Sequence, residues 1–275
     1  MKESKAEQSR KRISSLRMLY LLRFYLFCFF FRGYIGLSNS SLEGRIVKGY
    51  RVEITRYPYS VFLYFSKYNP KACGSSLITD QAVITAAHCL DELKYLNGKI
   101  KAYFGSNVPV YANLIRYVVA YRTHPKYNEE RGRYNLGVAL FNERVPLDRN
   151  VQKIPIAVKV PMPNDALFTS GWGKQDPKKF PDVSTYRSLK ASKHRLITTR
   201  ECEKYHSFRM SPAYWCTMSI NGYHYHGDAG NGLVTNDAFL VGVVSYVIND
   251  ITVYSDVTRE VRWIKESILS LMDSC

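Results

Sequence analysis

The sequence predicts an all-β barrel protein with one C-terminal helix. Short runs of β-branched and aromatic residues recur along the chain, and clusters of glycine, asparagine, aspartate and proline separate them. Tyrosine, which favours half-buried strands, occurs 22 times. Only residues 257–272 follow a helical pattern, because Val261, Ile264, Ile268 and Leu271 recur at intervals near 3.6. Many short strands followed by one helix are typical of barrel proteins.

The predicted strands are short and mainly apolar. Turn-forming residues bound each of them, and we find no sequence repeat, linker or low-complexity tract. In chain order the predicted strands are residues 61–65, 76–78, 82–85, 100–104, 115–119, 240–244 and 251–254.

Residues 1–38 are predicted to be a targeting segment. A basic stretch precedes an apolar run, residues 18–31, which Arg23 interrupts. The run is short for a transmembrane helix and fits the core of a signal peptide better, with a retained signal anchor as the alternative. Both Met1 and Met18 are candidate starts. We expect cleavage near residue 38, and no stable membrane association after it.

Residues 39–45 are expected to form a short pro-segment. Asn39 begins an N-x-S sequon and is a predicted glycosylation site.

The cysteines favour an exported protein. Cys73, Cys89, Cys202 and Cys216 can form two disulfides in an oxidising compartment, whereas Cys275 has no obvious partner. We therefore predict a secreted, extracellular protein.

The basic composition does not indicate a nucleic-acid partner. The formal net charge is +16, and part of the basic excess precedes residue 46. No Cys/His finger, basic heptad helix or aromatic RNA-binding motif accompanies it. We predict a basic surface on a soluble protein that needs no metal and no cofactor.

An ordered set of motifs resembles the trypsin- and chymotrypsin-like serine protease family. The motifs are RIVKG at 45–49, CGSSL at 73–77, TAAHC at 85–89, HPKYN at 124–128, GWG at 171–173, GDAGNG at 227–232 and the helix around Trp263. Their order is specific, although no single motif is decisive. The resemblance implies a protease homology domain over residues 46–275, built as two six-stranded antiparallel β-barrels with the site in the cleft between them.

The resemblance places one member of the catalytic triad. His88 stands at the position of the histidine, and Ala229 at that of the nucleophilic serine. The family's aspartate precedes a short apolar strand, and the matching stretch assigns Gly137 to its position. Asn135 is expected to point elsewhere. Serine, histidine and carboxylate are all needed for the chemistry, so the resemblance implies an inactive homologue of arthropod type.

Other family features are partly altered. Tyr223 takes the pocket-floor position, and Val247 and Thr252 stand where glycines usually admit a substrate side chain, so we expect a narrowed pocket.

The remaining implications concern activation and the disulfides. Arg45, Ile46 and Asp228 match the activation site and the aspartate that pairs with the freed amine, whereas Lys48 departs from the pattern. The family bridges imply that Cys73 joins Cys89 and that Cys202 joins Cys216.

These observations predict a secreted, non-catalytic serine protease homologue. It would bind a protein, such as a protease, a protease substrate or an inhibitor, as a cofactor, decoy or regulator of proteolysis. The alternatives are a serine endopeptidase with another nucleophile, and a storage, structural or antigenic secretory protein without a specific partner.

Overall fold

The computed structural model describes most of the chain after the predicted pro-segment. The described residues are 46, 49–65, 71–91, 99–128, 133–163, 165–173, 183–186, 188–205, 209–222, 224, 227–248 and 250–274, all within one compact unit, residues 43–275. The predicted segments 1–38 and 39–45, together with Asn39, Arg45, Tyr223 and Cys275, lie outside the described residues.

Strands dominate the described residues. The strands are β1 (Tyr50–Arg51), β2 (Ser60–Phe65), β3 (Lys71–Leu77), β4 (Ala82–Thr85), β5 (Ile100–Phe104), β6 (Leu114–Thr123), β7 (Gly137–Phe141), β8 (Leu167–Gly171), β9 (Lys190–Ile197), β10 (Tyr214–Ser219), β11 (Gly232–Thr235), β12 (Leu240–Ile248) and β13 (Ile251–Asp256). The α-helices are α1 (Ala87–Asp91), α2 (Thr199–Cys202) and α3 (Val261–Met272), and short 3₁₀ turns cover Ile54–Arg56, Pro109–Tyr111, Val183–Thr185 and Glu203–Tyr205.

Two antiparallel barrels form the fold, as predicted. The first is closed in the order β2-β3-β4-β7-β6-β5. The second runs β9-β10-β13-β12-β11-β8 and closes through a β8–β9 pairing, while β1 adds to β9. None of the helices among the described residues is long and apolar enough to cross a membrane.

The alternation of side chains in β2 shows how the barrels pack. Successive strand residues face opposite sides of a sheet. Val61 and Leu63 belong to a core cluster made mainly of first-barrel residues. Phe62 belongs to a second cluster, which also contains Trp172, Leu240 of the second barrel and helix α3 residues. The same strand therefore fills its own barrel and contributes to the core that joins the two barrels.

Helix α3 begins at Val261, four residues after the start of the predicted periodic segment. The carboxylate of Asp256 accepts hydrogen bonds from the backbone N–H and the hydroxyl of Thr258, at 2.8 and 2.7 Å. These bonds hold residues 256–260 in a turn, because a side-chain acceptor competes with helical pairing. Ile264, Ile268 and Leu271 are buried, which confirms the predicted apolar face.

The disulfides fix two short helices to the barrels. Cys73 in β3 is bonded to Cys89 in α1, and Cys202 in α2 is bonded to Cys216 in β10. Both pairs are those that the family resemblance implied.

Candidate active site

His88 lies in helix α1, directly after strand β4. Its ring is half-buried, and the disulfide partner Cys89 follows it. The Cys89 sulfur lies 3.7 Å from Nε2 of His88 and 4.0 Å from the carbonyl oxygen of Ala229. His88 and the loop that contains Ala229 therefore meet at one point. Because Cys73 and Cys89 are joined in a disulfide, their sulfur atoms are not thiolates that could bind a metal beside His88.

The side chain that holds His88 in place belongs to Asn135. The Oδ1 atom of Asn135 accepts a hydrogen bond of 3.0 Å from the backbone N–H of His88. Its Nδ2 atom lies 2.8 Å from Nδ1 of the same histidine and donates to Oγ of Ser245 at 2.9 Å. Ser245 is part of β12, so this buried asparagine links the first barrel to the second. Asn135 thus occupies the position of the residue that orients the histidine.

The prediction that Gly137 takes this position is wrong, as is the expectation that Asn135 points away. Gly137 is the first residue of β7 and pairs with Thr85 beneath helix α1. A Cβ atom at Gly137 would lie 2.6 Å from Cδ1 of Leu90 and 3.5 Å from Cα of Ala87. The space beside Gly137 is therefore filled by the helix, and a side chain there would face Leu90 rather than the imidazole of His88.

Both polar atoms of the Asn135 amide lie within hydrogen-bond distance of Nδ1 of His88. The backbone N–H of His88 needs an acceptor, so the amide oxygen faces it and the NH₂ group faces Nδ1. The Oδ1 atom also lies 3.2 Å from Nδ1, so the amide can bond either tautomer of the neutral imidazole and does not fix the proton on Nδ1. A carboxylate in the same place would hold the proton on Nδ1 and leave Nε2 as the base.

The loop around Ala229 is fixed to both barrels. The carbonyl oxygen of Ala229 accepts from the N–H of Gly74 in β3 at 2.7 Å, and Gly230 donates to the carbonyl of Val244 in β12 at 2.9 Å. Gly230 has φ +87°, a conformation that favours glycine. The side chain at position 229 is a methyl group, which has no oxygen or sulfur atom to attack a carbonyl carbon.

Asp228 is fully buried beside Ala229. Its Oδ1 atom accepts from the backbone N–H of Gly173 at 3.0 Å and from Nδ2 of Asn231 at 3.1 Å. Its Oδ2 atom lies 3.6 Å from Nδ1 of His224. These contacts hold the carboxylate inside the second barrel, next to the loop.

The same contacts lead to a group of buried polar residues that the sequence did not predict. His224 is fully buried, and its Nε2 atom lies 2.9 Å from the hydroxyl of Tyr254. The ring of His194 lies 5.5 Å from that of His224 and bonds Ser192 through Nε2. Burial lowers the pKa of His194 well below its usual range, and the neighbouring His224 lowers it further. The only sequence signal for this group was the four-residue spacing of His224 and Asp228.

The predicted pocket residues and Ile46 differ in how far they are buried. Val247 and Thr252 are directly paired across β12 and β13, with Thr252 fully buried and Val247 half-buried. Tyr223 lies outside the described residues. Ile46 is fully buried, and its carbonyl oxygen accepts from the N–H of Gly49 at 2.9 Å.

Comparison with known proteins gives one family. The family model described as Trypsin matches residues 46–264. Trypsin epsilon of Drosophila erecta is 28% identical over 236 residues, which is 82% of this chain and 88% of the relative. Hypodermin-B of Hypoderma lineatum is 26% identical and covers 83% of this chain and 90% of its own length.

Solved structures agree with this family. The scabies mite inactivated protease paralogue S-D1 superposes with a TM-score of 0.71 at 25% identity, over 81% of this chain and 97% of that protein. Mouse neuropsin, a serine protease expressed in the limbic system, has a TM-score of 0.69 at 22% identity, over 80% and 99%, and so shows the fold alone.

Proposed function

The chain belongs to the trypsin family of serine proteases, and we propose that it is a secreted member that binds proteins and does not cleave peptide bonds. The single observation that carries the proposal is the group around His88, where Asn135 and Ala229 provide an amide and a methyl group. Acyl transfer in this family needs a hydroxyl, a basic imidazole and a carboxylate. Of these three, the chain supplies only the imidazole.

The expected losses in catalytic rate support inactivity. In a related protease, removal of the serine alone lowers kcat by a factor on the order of 10⁶, or about 8 kcal/mol. Asparagine in place of the orienting aspartate lowers the rate by about 10⁴, because the histidine takes the wrong tautomer. The two effects are not additive, since triad members act as a unit, but either one alone lowers the rate by at least about four orders of magnitude.

The contacts that shape the cleft support a binding role. Gly74 still bonds the carbonyl oxygen of Ala229, and Asp228 still bonds Gly173, so the loop is ordered without a catalytic hydroxyl. The scabies mite structure, which is titled an inactivated protease paralogue, resembles this chain at 25% identity. A family fold with an ordered cleft and no nucleophile is suited to recognition.

The partner is proposed to be a protein of a proteolytic system, namely a protease, a protease substrate or an inhibitor. The pairing of half-buried Val247 with buried Thr252 supports a narrowed pocket, so recognition would not depend on inserting a long side chain. Two disulfides and relatives among insect trypsins support secretion. Glycosylation at Asn39 and cleavage after Arg45 stay predictions.

Capture from the native fluid tests the binding role against the alternative of a secretory protein without a partner. We would immobilise the full chain, the cleft variant Ala229→Tyr and the control Arg262→Gln, whose exposed side chain contacts Glu266 on helix α3. We expect a protein that the native chain and the control retain and that the cleft variant loses, with unchanged melting temperatures. If all three immobilised proteins retain the same partners, or if none of them retains any protein, the result would favour a secretory protein without a specific partner.

A further inference from the structure

We propose that the outer face of strands β5 and β6 is a docking surface for an acidic segment of a partner protein that also carries apolar side chains. This face belongs to elements other than those of the candidate active site, whose residues come from α1, the segment before β7 and the loop before β11. The inference goes beyond the proposed function, because it assigns a second recognition surface and the chemistry that this surface selects.

One side of β6 presents apolar residues to solvent. Burial alternates along the strand, and Ile115, Tyr117 and Val119 are 37, 40 and 54% exposed. The intervening Leu114 and Val118 pack against the core of the first barrel instead. Positions two apart in a strand lie on one face, so the three exposed side chains form a row about 13 Å long. Polar residues usually occupy such a solvent-facing row, so an apolar one is a candidate contact surface.

The neighbouring strand and the connecting loop extend this row. Lys101 of β5 is paired directly with Tyr117, and Tyr103 with Ile115, so these side chains share one face of the sheet. The loop between β5 and β6 presents Tyr111, which is 74% exposed. Tyrosine is enriched in protein interfaces, because its ring buries a large apolar area while its hydroxyl stays hydrated.

The charges on this hairpin are all positive. Residues 99–128 contain five Lys/Arg and no Asp or Glu. Lys99 is exposed and Lys101 is half-buried, and no described residue forms an ion pair with either of them. Arg116 differs from them, because it is paired with Glu143 at 3.6 Å. Two ammonium groups therefore remain for a negatively charged partner.

The position of these cations beside the apolar row decides the chemistry of the partner. The Nζ atom of Lys99 lies 6.0 Å from the ring centre of Tyr117, and Lys101 stands opposite the same tyrosine. A side chain that covers Tyr117 thus has two positive charges next to it, which attract carboxylates on either side of it. A segment that combines carboxylate and apolar side chains matches both features at once.

The shape of the row favours a protein segment over a lipid surface. Neighbouring residues already cover about half of Ile115, Tyr117 and Val119. Their apolar atoms therefore lie close to the strand, where the side chains of another protein can pack against them. Insertion into a bilayer instead requires apolar side chains that reach well beyond the backbone, to a depth of about 5–10 Å.

Binding is tested on the full chain by fluorescence anisotropy with three labelled peptides. The first combines glutamates with leucines, the second has glutamines in place of the glutamates, and the third has serines in place of the leucines. We expect the first peptide to bind at least about tenfold more tightly than the other two, because each of them lacks one half of the complementarity. Its affinity should fall as salt is raised, since salt screens exposed charges.

Paired substitutions locate the site on the molecule. Lys99→Gln with Lys101→Gln should weaken binding of the first peptide roughly 2- to 30-fold, the range for two exposed ion pairs. Lys153→Gln with Lys265→Gln is the matched control, because it removes the same charge from exposed positions elsewhere and should leave the affinity unchanged. Tyr111→Ser should weaken binding of the first peptide but not of the third. Unchanged melting temperatures would show that all variants are folded.

The proposed function survives every result that overturns the docking surface, because it rests on Ala229 and Asn135. No binding, equal affinity for the three peptides, or equal weakening by the two paired substitutions would each remove the site. Binding to phosphatidylserine vesicles that Lys99→Gln with Lys101→Gln abolishes would assign the face to lipid instead, and dimerisation that Tyr111→Ser prevents would assign it to a second copy. Cleavage of a peptide by the native chain would overturn the proposed function.

Discussion

Restoring a serine at position 229 is expected to restore reactivity only when position 135 is also changed. Ala229→Ser supplies the hydroxyl, but the neutral amide of Asn135, unlike a carboxylate, does not hold His88 in the tautomer whose Nε2 accepts the hydroxyl proton. Adding Asn135→Asp replaces the NH₂ donor with a carboxylate oxygen. The carboxylate still accepts from the backbone N–H of His88, which lies 3.0 Å from Oδ1.

The size of the gain follows from the tautomer. Because an asparagine at the orienting position costs about 10⁴ in rate, Ala229→Ser with Asn135→Asp should react about 10⁴-fold faster than Ala229→Ser alone. Gly137→Asp is the matched control for an added carboxylate. It should give no gain, and it should lower the free energy of unfolding by at least about 3 kcal/mol, because its side chain would be buried and overpacked against Leu90.

The assay is the rate of labelling by a small fluorophosphonate, which needs the activated hydroxyl but no deep specificity pocket. Urea denaturation of each variant shows that the comparison is made on folded protein. Equal labelling rates of the single and double variants would refute the assignment of Asn135. Faster labelling of Ala229→Ser with Gly137→Asp than of Ala229→Ser alone would instead show that position 137 orients the histidine.

The remaining predictions concern stability and activation. The free energy of unfolding should fall as the pH drops below about 6.5, because His194 is protonated in the unfolded chain but stays neutral when it is buried in the folded chain. His194→Gln should reduce this pH dependence by up to about 1.4 kcal/mol per pH unit, as measured by urea titrations at several pH values. Replacing Cys73 and Cys89 by alanine should cost about 3 kcal/mol in the same assay, since their separation is 16 residues. Cleavage after Arg45 should raise the melting temperature and slow hydrogen exchange in the loop that contains Asp228, and Asp228→Asn should abolish both effects; identical cut and uncut forms would contradict this activation switch.

The strands that the sequence predicted are those with mainly apolar residues. The predicted segment 82–85 coincides with β4, and the predicted 100–104 with β5. Strand β9 was not predicted, because it carries polar residues on its buried face: Ser192 and His194 are fully buried and hydrogen-bonded to each other. Such a strand has the composition of a surface segment, and only its tertiary partners show that it lies inside a barrel.

The candidate site shows a similar limit. His88 and Ala229 could be placed from their flanking residues, but Asn135 could not, because it precedes the regular part of β7 by two residues. Counting from the apolar strand led to Gly137 instead. The contact that identifies Asn135 is its hydrogen bond to the backbone N–H of His88, 47 positions away in the sequence, and no local pattern reports such a contact.

Turnover by the purified chain tests the central claim most directly. The full chain, untreated or cut with immobilised trypsin, would be incubated with a peptide library beside His88→Ala prepared in the same way. The absence of a nucleophile at Ala229 predicts that the two proteins give the same background, set by trace contaminants. Cleavage by the native chain that disappears in His88→Ala would contradict the claim, because it would show that this imidazole still takes part in peptide hydrolysis.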